Sequence, residues 1–219
     1  MSKKDDKEYI KLYGHISKDL KDRVLYLFKA FNMTKKNIDS INTQILKLRD
    51  TKWAEINLVL YLVPKATPRA RAAGGWTHFY VDGAKYNSVE FKKFVKEELS
   101  NFPMIVTPCE FICDIYSPTP KQMKPEEIIL AELQHLQNVS KPDWDNVGKT
   151  YSDMIQNSLI LDDSLITVAT TRKLYSIKPR VEIKIRYRLS FDCKYNKRKV
   201  ESWKSYKDNK DKIRERNCL

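Results

Sequence analysis

The apolar positions near the start of the chain recur at helical spacing. In residues 16–31, Leu20, Val24, Leu27, Phe28 and Phe31 return every three or four positions, which places them on one face of a helix. Ser17 stands where its cap belongs. A second helix is predicted from Thr34, a capping residue, through Ile38, Ile41, Ile45 and Leu48. At Trp53 the period changes, and WAEINLVLYLVP reads as a strand that Pro64 ends. Residues 64–75 (PKATPRARAAGG) then form a loop carrying Arg69 and Arg71, residues 76–81 a strand, and Asp82-Gly83 a turn. A helix is predicted over 88–99, a strand over 104–116 and an amphipathic helix over 126–137.

In the next stretch, residues 141–145 (KPDWD) are expected to be extended, because Pro142 disfavours helix at the residue before it. A helix follows from Asn146 to about Ser158, with Val147, Tyr151, Met154 and Ile155 facing inward. Trp144, between two aspartates, is expected to point away from them into the core. Residues 161–164 make a turn bearing Asp162 and Asp163. Two strands come after it, over 165–175 and 180–189, joined through Lys178-Pro179. In the second, Val181, Ile183, Ile185, Tyr187 and Leu189 alternate with Glu182, Lys184, Arg186 and Arg188, which predicts one packed and one basic face. The Lys-rich tail from Phe191 is weakly periodic and reads as a solvated helix or as disorder. The chain thus divides into a helical extension (1–52), a central domain of the α/β or α+β class (53–190) and a basic tail (191–219).

Composition narrows the function. With 42% hydrophobic and 11% aromatic residues over 219, the chain can bury a core, which excludes a wholly disordered basic protein. Its longest apolar run, residues 56–63 with Asn57 inside it, is far short of the ~20 residues of a membrane-spanning helix. The first eight residues, MSKKDDKE, hold no apolar stretch, and a cytoplasmic location is expected. A net charge of +13 points to a polyanion, most simply nucleic acid. An anionic membrane is the weaker alternative, since no basic amphipathic helix with a Trp/Phe-rich face stands out. That charge is unevenly placed, with net +6 in residues 1–52, −1 in 53–140, +3 in 141–190 and +5 in 191–219. A pure binder gains little from acids at its centre, so the central aspartates need a chemical reason. The four cysteines supply none. Cys109 and Cys113 are ~13 Å apart along a strand, too far for a disulfide or a shared zinc, and free thiols are expected.

If residues 141–145 are extended, Asp143 and Asp145 leave the same face, and one helix and a turn can return Asp162 and Asp163 to it. Three or four carboxylates converging there would repel one another unless a cation sat among them, and Mg²⁺ favours such hard oxygen ligands. The competing structural reading makes each aspartate a helix cap or a turn residue. Lys149 lies one turn into the same helix, and with Asp153 it makes an i,i+4 pair that needs no function to explain it.

These residues also carry a resemblance. The run KPDWDNVGKTYSDMIQNSLILDDSLITVATTRKLYSIKPRVEIKI resembles the signature of the RusA family of Holliday junction resolvases: a Pro-Asp-x-Asp-Asn run, a Lys three residues on, an Asp on the same helix, an Asp-Asp turn, a Lys-bearing strand and a final strand. They fall here on 142–146, Lys149, Asp153, Asp162-Asp163, Lys173 and 181–185. The loop PKATPRAR is similar to the segment that follows the family's first strand. The resemblance spans about residues 53–190 and leaves both ends without a counterpart. It implies a mixed sheet flanked by helices and a metal-dependent endodeoxyribonuclease that cuts paired strands of four-way DNA junctions, acting as a homodimer. Asp143, Asp145 and Asp163 would hold Mg²⁺, or Mn²⁺ in its place, with Asp162 the less certain partner, and Lys149 would be essential. The candidate DNA contacts are Arg69, Arg71, Lys141, Lys173, Arg186 and Arg188; for Arg69, Arg71, Arg186 and Arg188 the competing reading is a solvated charge. A non-catalytic basic nucleic-acid-binding protein and a metal nuclease for other branched or flap DNA are the alternatives.

Overall fold

Residues 1–51 and 52–219 form two separate units in the computed structural model, which describes residues 17–66, 71–73, 76–78, 93, 97, 102–191 and 193–217. The first unit contains two helices, α1 (Lys18–Ala30) and α2 (Lys35–Arg49). The Ser17 hydroxyl accepts a hydrogen bond from the Leu20 amide at 3.2 Å and caps α1. At α2 the Thr34 hydroxyl accepts from the Asn37 amide while Asn37 Oδ1 accepts from the Thr34 amide, so two of the unsatisfied first-turn donors are used reciprocally. Neither helix contains a buried residue.

The second unit is built on a four-stranded mixed sheet of order β1-β6-β4-β5, which makes the fold α+β. Its strands are β1 (Trp53–Leu60), β4 (Cys109–Pro118), β5 (Ile166–Ser176) and β6 (Arg180–Arg188). β2 (Arg71–Ala73) and β3 (Trp76–His78) pair antiparallel in a separate two-stranded sheet. β6 runs antiparallel to both β1 and β4, whereas β4 and β5 are parallel. Parallel neighbours require a crossover, and α3 (Pro125–Glu132) and α4 (Trp144–Ile155) occupy that connection. Although only three residues separate β5 from β6, the two do not pair, because β4 lies between them. The predicted helix over 88–99 lies outside the described residues except at positions 93 and 97, both helical.

One sheet face forms the core. Ile56, Leu58 and Leu60 of β1, Phe111, Cys113 and Ile115 of β4, and Val181, Ile183 and Ile185 of β6 are all buried there. They share one cluster with the α4 stripe Val147, Tyr151, Met154 and Ile155. The other face mixes both signs of charge. The strand register sets Glu55 and Glu110 opposite Arg186, and Arg186 bonds Glu110 at 2.7 Å and lies 3.9 Å from Glu55. Lys184 reaches Glu55 at 3.3 Å. The basic face expected of β6 alone is therefore neutralised by its neighbours. Leu189, expected to pack, lies beyond the strand and is exposed.

Three further expectations are corrected. Residues 143–145 are not a continuous extended run, because α4 begins at Trp144 with Asp143 at its N-cap. Trp144 is not in the core, being 66% exposed. The tail after residue 193 is α5 (Lys194–Asn217), and it is neither disordered nor wholly solvated, since Val200 is buried in the core cluster and Trp203 packs against it. Cys109, Cys113 and Cys193 are free thiols, as expected. Burial pushes the Cys109 thiol up to about 11 and raises Cys113 further.

Candidate active site

Two anchors from β5 place the start of α4. Asn138 is buried, and its side-chain amide donates to the Leu174 carbonyl at 3.1 Å. Its Oδ1 accepts from both the amide (3.1 Å) and the hydroxyl (2.7 Å) of Ser140. The Lys173 ammonium donates to the Ser140 carbonyl. Lys173, expected to contact DNA, is thus engaged in holding the segment that leads into α4.

From that start, Asp145, Lys149 and Ser152 fall on one side of α4 at positions i, i+4 and i+7, away from the Val147–Tyr151–Ile155 stripe. The helix lies unusually close to the sheet, because Gly148 has no side chain. A Cβ there would stand 2.3 Å from Thr171 Oγ1 and 3.3 Å from Thr171 Cβ. This close approach is a feature of the site that reading the sequence missed. Its only local signal was a glycine inside a helical pattern.

The return from α4 is held as firmly. Asn157 takes a left-handed conformation (φ 61°), which asparagine tolerates better than most residues. Leu159, Ile160 and Leu161 are buried, and the chain is pinned to Ile105 by hydrogen bonds of 2.8 and 3.0 Å. A 3₁₀ turn, Asp163–Leu165, follows. The two adjacent aspartates separate here by role. Asp162 Oδ1 accepts from the Ser164 amide at 3.0 Å and Oδ2 from the Gln156 side chain at 3.2 Å, so Asp162 caps the turn. Asp163, one residue on, is exposed and faces an open cleft.

That cleft is lined by Asp145, Lys149 and Asp163, together with Trp144, Ser152 and Thr171. Asp145 lies in the first turn of α4, where the helix N-terminus favours negative charge. Asp153 is held above the usual carboxylate range, first by partial burial; Lys149 opposes this shift and the Asp163 charge adds to it. Asp143 is exposed but does not line the cleft. Among the described residues, no three His, Cys, Asp or Glu side chains stand close enough to share a metal. The expected convergence of three or four carboxylates is therefore reduced to two in one cleft. Two still fit Mg²⁺, which commonly takes one or two protein carboxylates and completes its octahedron with water and substrate phosphate.

The remaining candidates lie elsewhere. Arg69 is outside the described residues; Arg71 opens β2, and its side chain is not described. Lys141 is exposed in the segment before α4. Arg186 and Arg188 belong to the opposite sheet face, where both guanidinium groups lie over the Trp53 ring at 5.6 and 4.9 Å. Five residues past the end of β1, the Lys65 amide donates to the Tyr151 hydroxyl at 3.3 Å and ties the chain to α4.

The family model described as endodeoxyribonuclease RusA matches residues 61–186, a span that includes β4 to β5, the whole cleft and most of β6. The uncharacterized protein YqaN of Bacillus subtilis (strain 168) is 33% identical over 132 residues, covering 57% of this chain and 89% of that protein.

Proposed function

Because this chain belongs to the RusA family of endodeoxyribonucleases, we propose that it is a Mg²⁺-dependent, structure-selective nuclease that hydrolyses paired phosphodiesters at four-way DNA junctions. The observation that carries this reading is the meeting of Asp145 and Lys149 of α4 with Asp163 of the 3₁₀ turn in one open cleft. Asp145 and Asp163 would hold the cation. When bound, it would supply Lewis-acid activation of the phosphodiester and of the attacking water. Lys149 presents its ammonium on the same wall and stabilises the charge that grows on the phosphate oxygens. In this reading Asp143, at the N-cap of α4 without a side-chain capping hydrogen bond, is not a third ligand in the cleft, and Asp162 acts by capping the turn that presents Asp163.

Net charge of +6 in residues 1–52 and +5 in 191–219 supports capture of the DNA backbone by the two ends, with the near-neutral centre left for cleavage. Arg69, Arg71 and Lys141 are the proposed phosphate contacts. A junction with two-fold symmetry calls for two symmetric cuts, which a homodimer would supply. No helix among the described residues is long and apolar enough to cross a membrane.

The test is cleavage of a synthetic four-way junction, a flap and a plain duplex at one salt concentration, with Mg²⁺ or Mn²⁺. The wild type should cut the junction fastest. Asp145→Asn and Asp163→Asn should cut at least about 100-fold more slowly while still binding it, since each loses a charge without gaining bulk. A wild type that leaves junctions intact with either metal would overturn the proposal, and faster cutting of flaps would reassign the substrate.

A further inference from the structure

Trp144 is the first residue of α4, and it is 66% exposed although the helix has its own packing stripe. It is not part of the core cluster. Val147, Tyr151, Met154 and Ile155 already fill the interface with the sheet, and tryptophan has no special merit at the first position of a helix. The indole nevertheless lines the same cleft as Asp145, Lys149 and Asp163. A flat apolar surface therefore sits beside two carboxylates and an ammonium, and a phosphodiester in DNA presents the matching pair of groups, a phosphate and an adjacent base ring.

We propose that Trp144 stacks on a nucleobase next to the scissile phosphate and thereby makes the site selective for branch points over continuous duplex. The proposal rests on the nuclease reading above. Within duplex DNA both faces of every base are covered by neighbouring pairs, so an indole gains a partner only after a base has been unstacked. That unstacking is least costly where the helix is already interrupted. At a branch point the strands exchange partners, and opening the end-to-end stacks of the arms exposes base faces without breaking a pair. Stacking there adds affinity for branched DNA that plain duplex does not receive.

The test places 2-aminopurine, whose fluorescence reports stacking, at each position flanking the branch of a four-way junction and at matched positions in a duplex. Binding is followed in the uncut complex of the Asp163→Asn protein, with Trp144 intact, as Trp144→Phe and as Trp144→Ala. The expected result is a fluorescence change at one flanking position of the junction that Phe retains and Ala abolishes, with no change in duplex. In the otherwise native protein, Trp144→Ala should lower kcat/KM on junctions about five- to a hundred-fold and leave duplex affinity unaltered, with Trp144→Phe close to wild type. An unchanged thermal melt of both variants is expected from the exposure of the side chain.

The proposal is overturned if Trp144→Ala cuts junctions as well as wild type, if it loses junction and duplex binding by the same factor, or if Trp144→Phe is as impaired as Trp144→Ala. Failure of the nuclease reading looks different. In that case the wild type cuts nothing, while the fluorescence series still reports whether the indole stacks.

Discussion

Replacing Gly148 with alanine tests how tightly α4 must sit on the sheet for the site to work. The added Cβ would meet Thr171 Oγ1 at 2.3 Å, where ordinary van der Waals contact begins at 3.4 Å, so the contact is short by about 1 Å. Rotating the Thr171 side chain swings Oγ1 aside but leaves Thr171 Cβ at 3.3 Å, still tight. Overpacking of this kind costs about 1–3 kcal/mol, while the change from glycine to alanine in a helix returns about 1 kcal/mol. The net loss of stability should be about 0–2 kcal/mol. Activity should suffer more. Asp145 and Lys149 ride on α4 and Asp163 precedes β5, so moving the helix by about 1 Å separates the two halves of the cleft, a displacement that can cost ~100-fold in rate. Thermal melts and single-turnover junction cleavage would measure the two effects. Thr171→Ala in the Gly148→Ala background removes the nearest atom and should restore most of the lost rate. A Gly148→Ala protein that melts and cuts like wild type, or one that Thr171→Ala fails to rescue, would refute the close-packing argument.

Three further outcomes are expected. Asp162→Ala should lose about 1 kcal/mol as the 3₁₀ turn loses its cap, and should slow cleavage less than Asp163→Asn, because it loosens one carboxylate without deleting it; paired melts and cleavage rates check this. Val200→Ala should cost about 1–3 kcal/mol in urea unfolding without altering the salt dependence of DNA binding, whereas deletion of residues 194–219 should lower both stability and affinity. Burial raises the Cys109 thiol from its ordinary value near 9 to about 11, so the unfolded chain releases that proton first as pH rises. The contribution of Cys109 to stability should be complete below pH 9 and lost between about 9 and 11. Urea melts across that range should show a shallower alkaline decline for Cys109→Ala, and iodoacetamide at pH 8 should label Cys193 before Cys109.

The parts of the fold that could be read from sequence depend on neighbours within about four residues. Ser17 and Thr34 sit beside the amides that they cap, and the Val147–Tyr151–Ile155 stripe repeats at the helical period. The misreadings have longer-range causes. The segment before α4 is held by Leu174 and Lys173, more than thirty residues away, and α4 begins at Trp144 rather than Asn146. Once the helix starts there, Asp143 and Asp145 no longer share the face of an extended strand, and Asp143 drops out of the cleft. Arg186 looked free on a basic strand face until pairing brought Glu55 and Glu110 alongside it.

The sequence by itself determined which residue types could do chemistry here: aspartates on both sides of one helix, a lysine within it, and a near-neutral centre between basic ends. It also carried the order of elements that marks the family. Only the tertiary structure decided which aspartates share the cleft, that one of an adjacent pair caps a turn while the other faces outward, and that Trp144 stands beside them in solvent. The physical reason is that chain order and periodicity assign a residue to an element and a face. Which faces meet depends on where β4 and β5 set α4 and the turn that follows it, through contacts between residues distant in the chain.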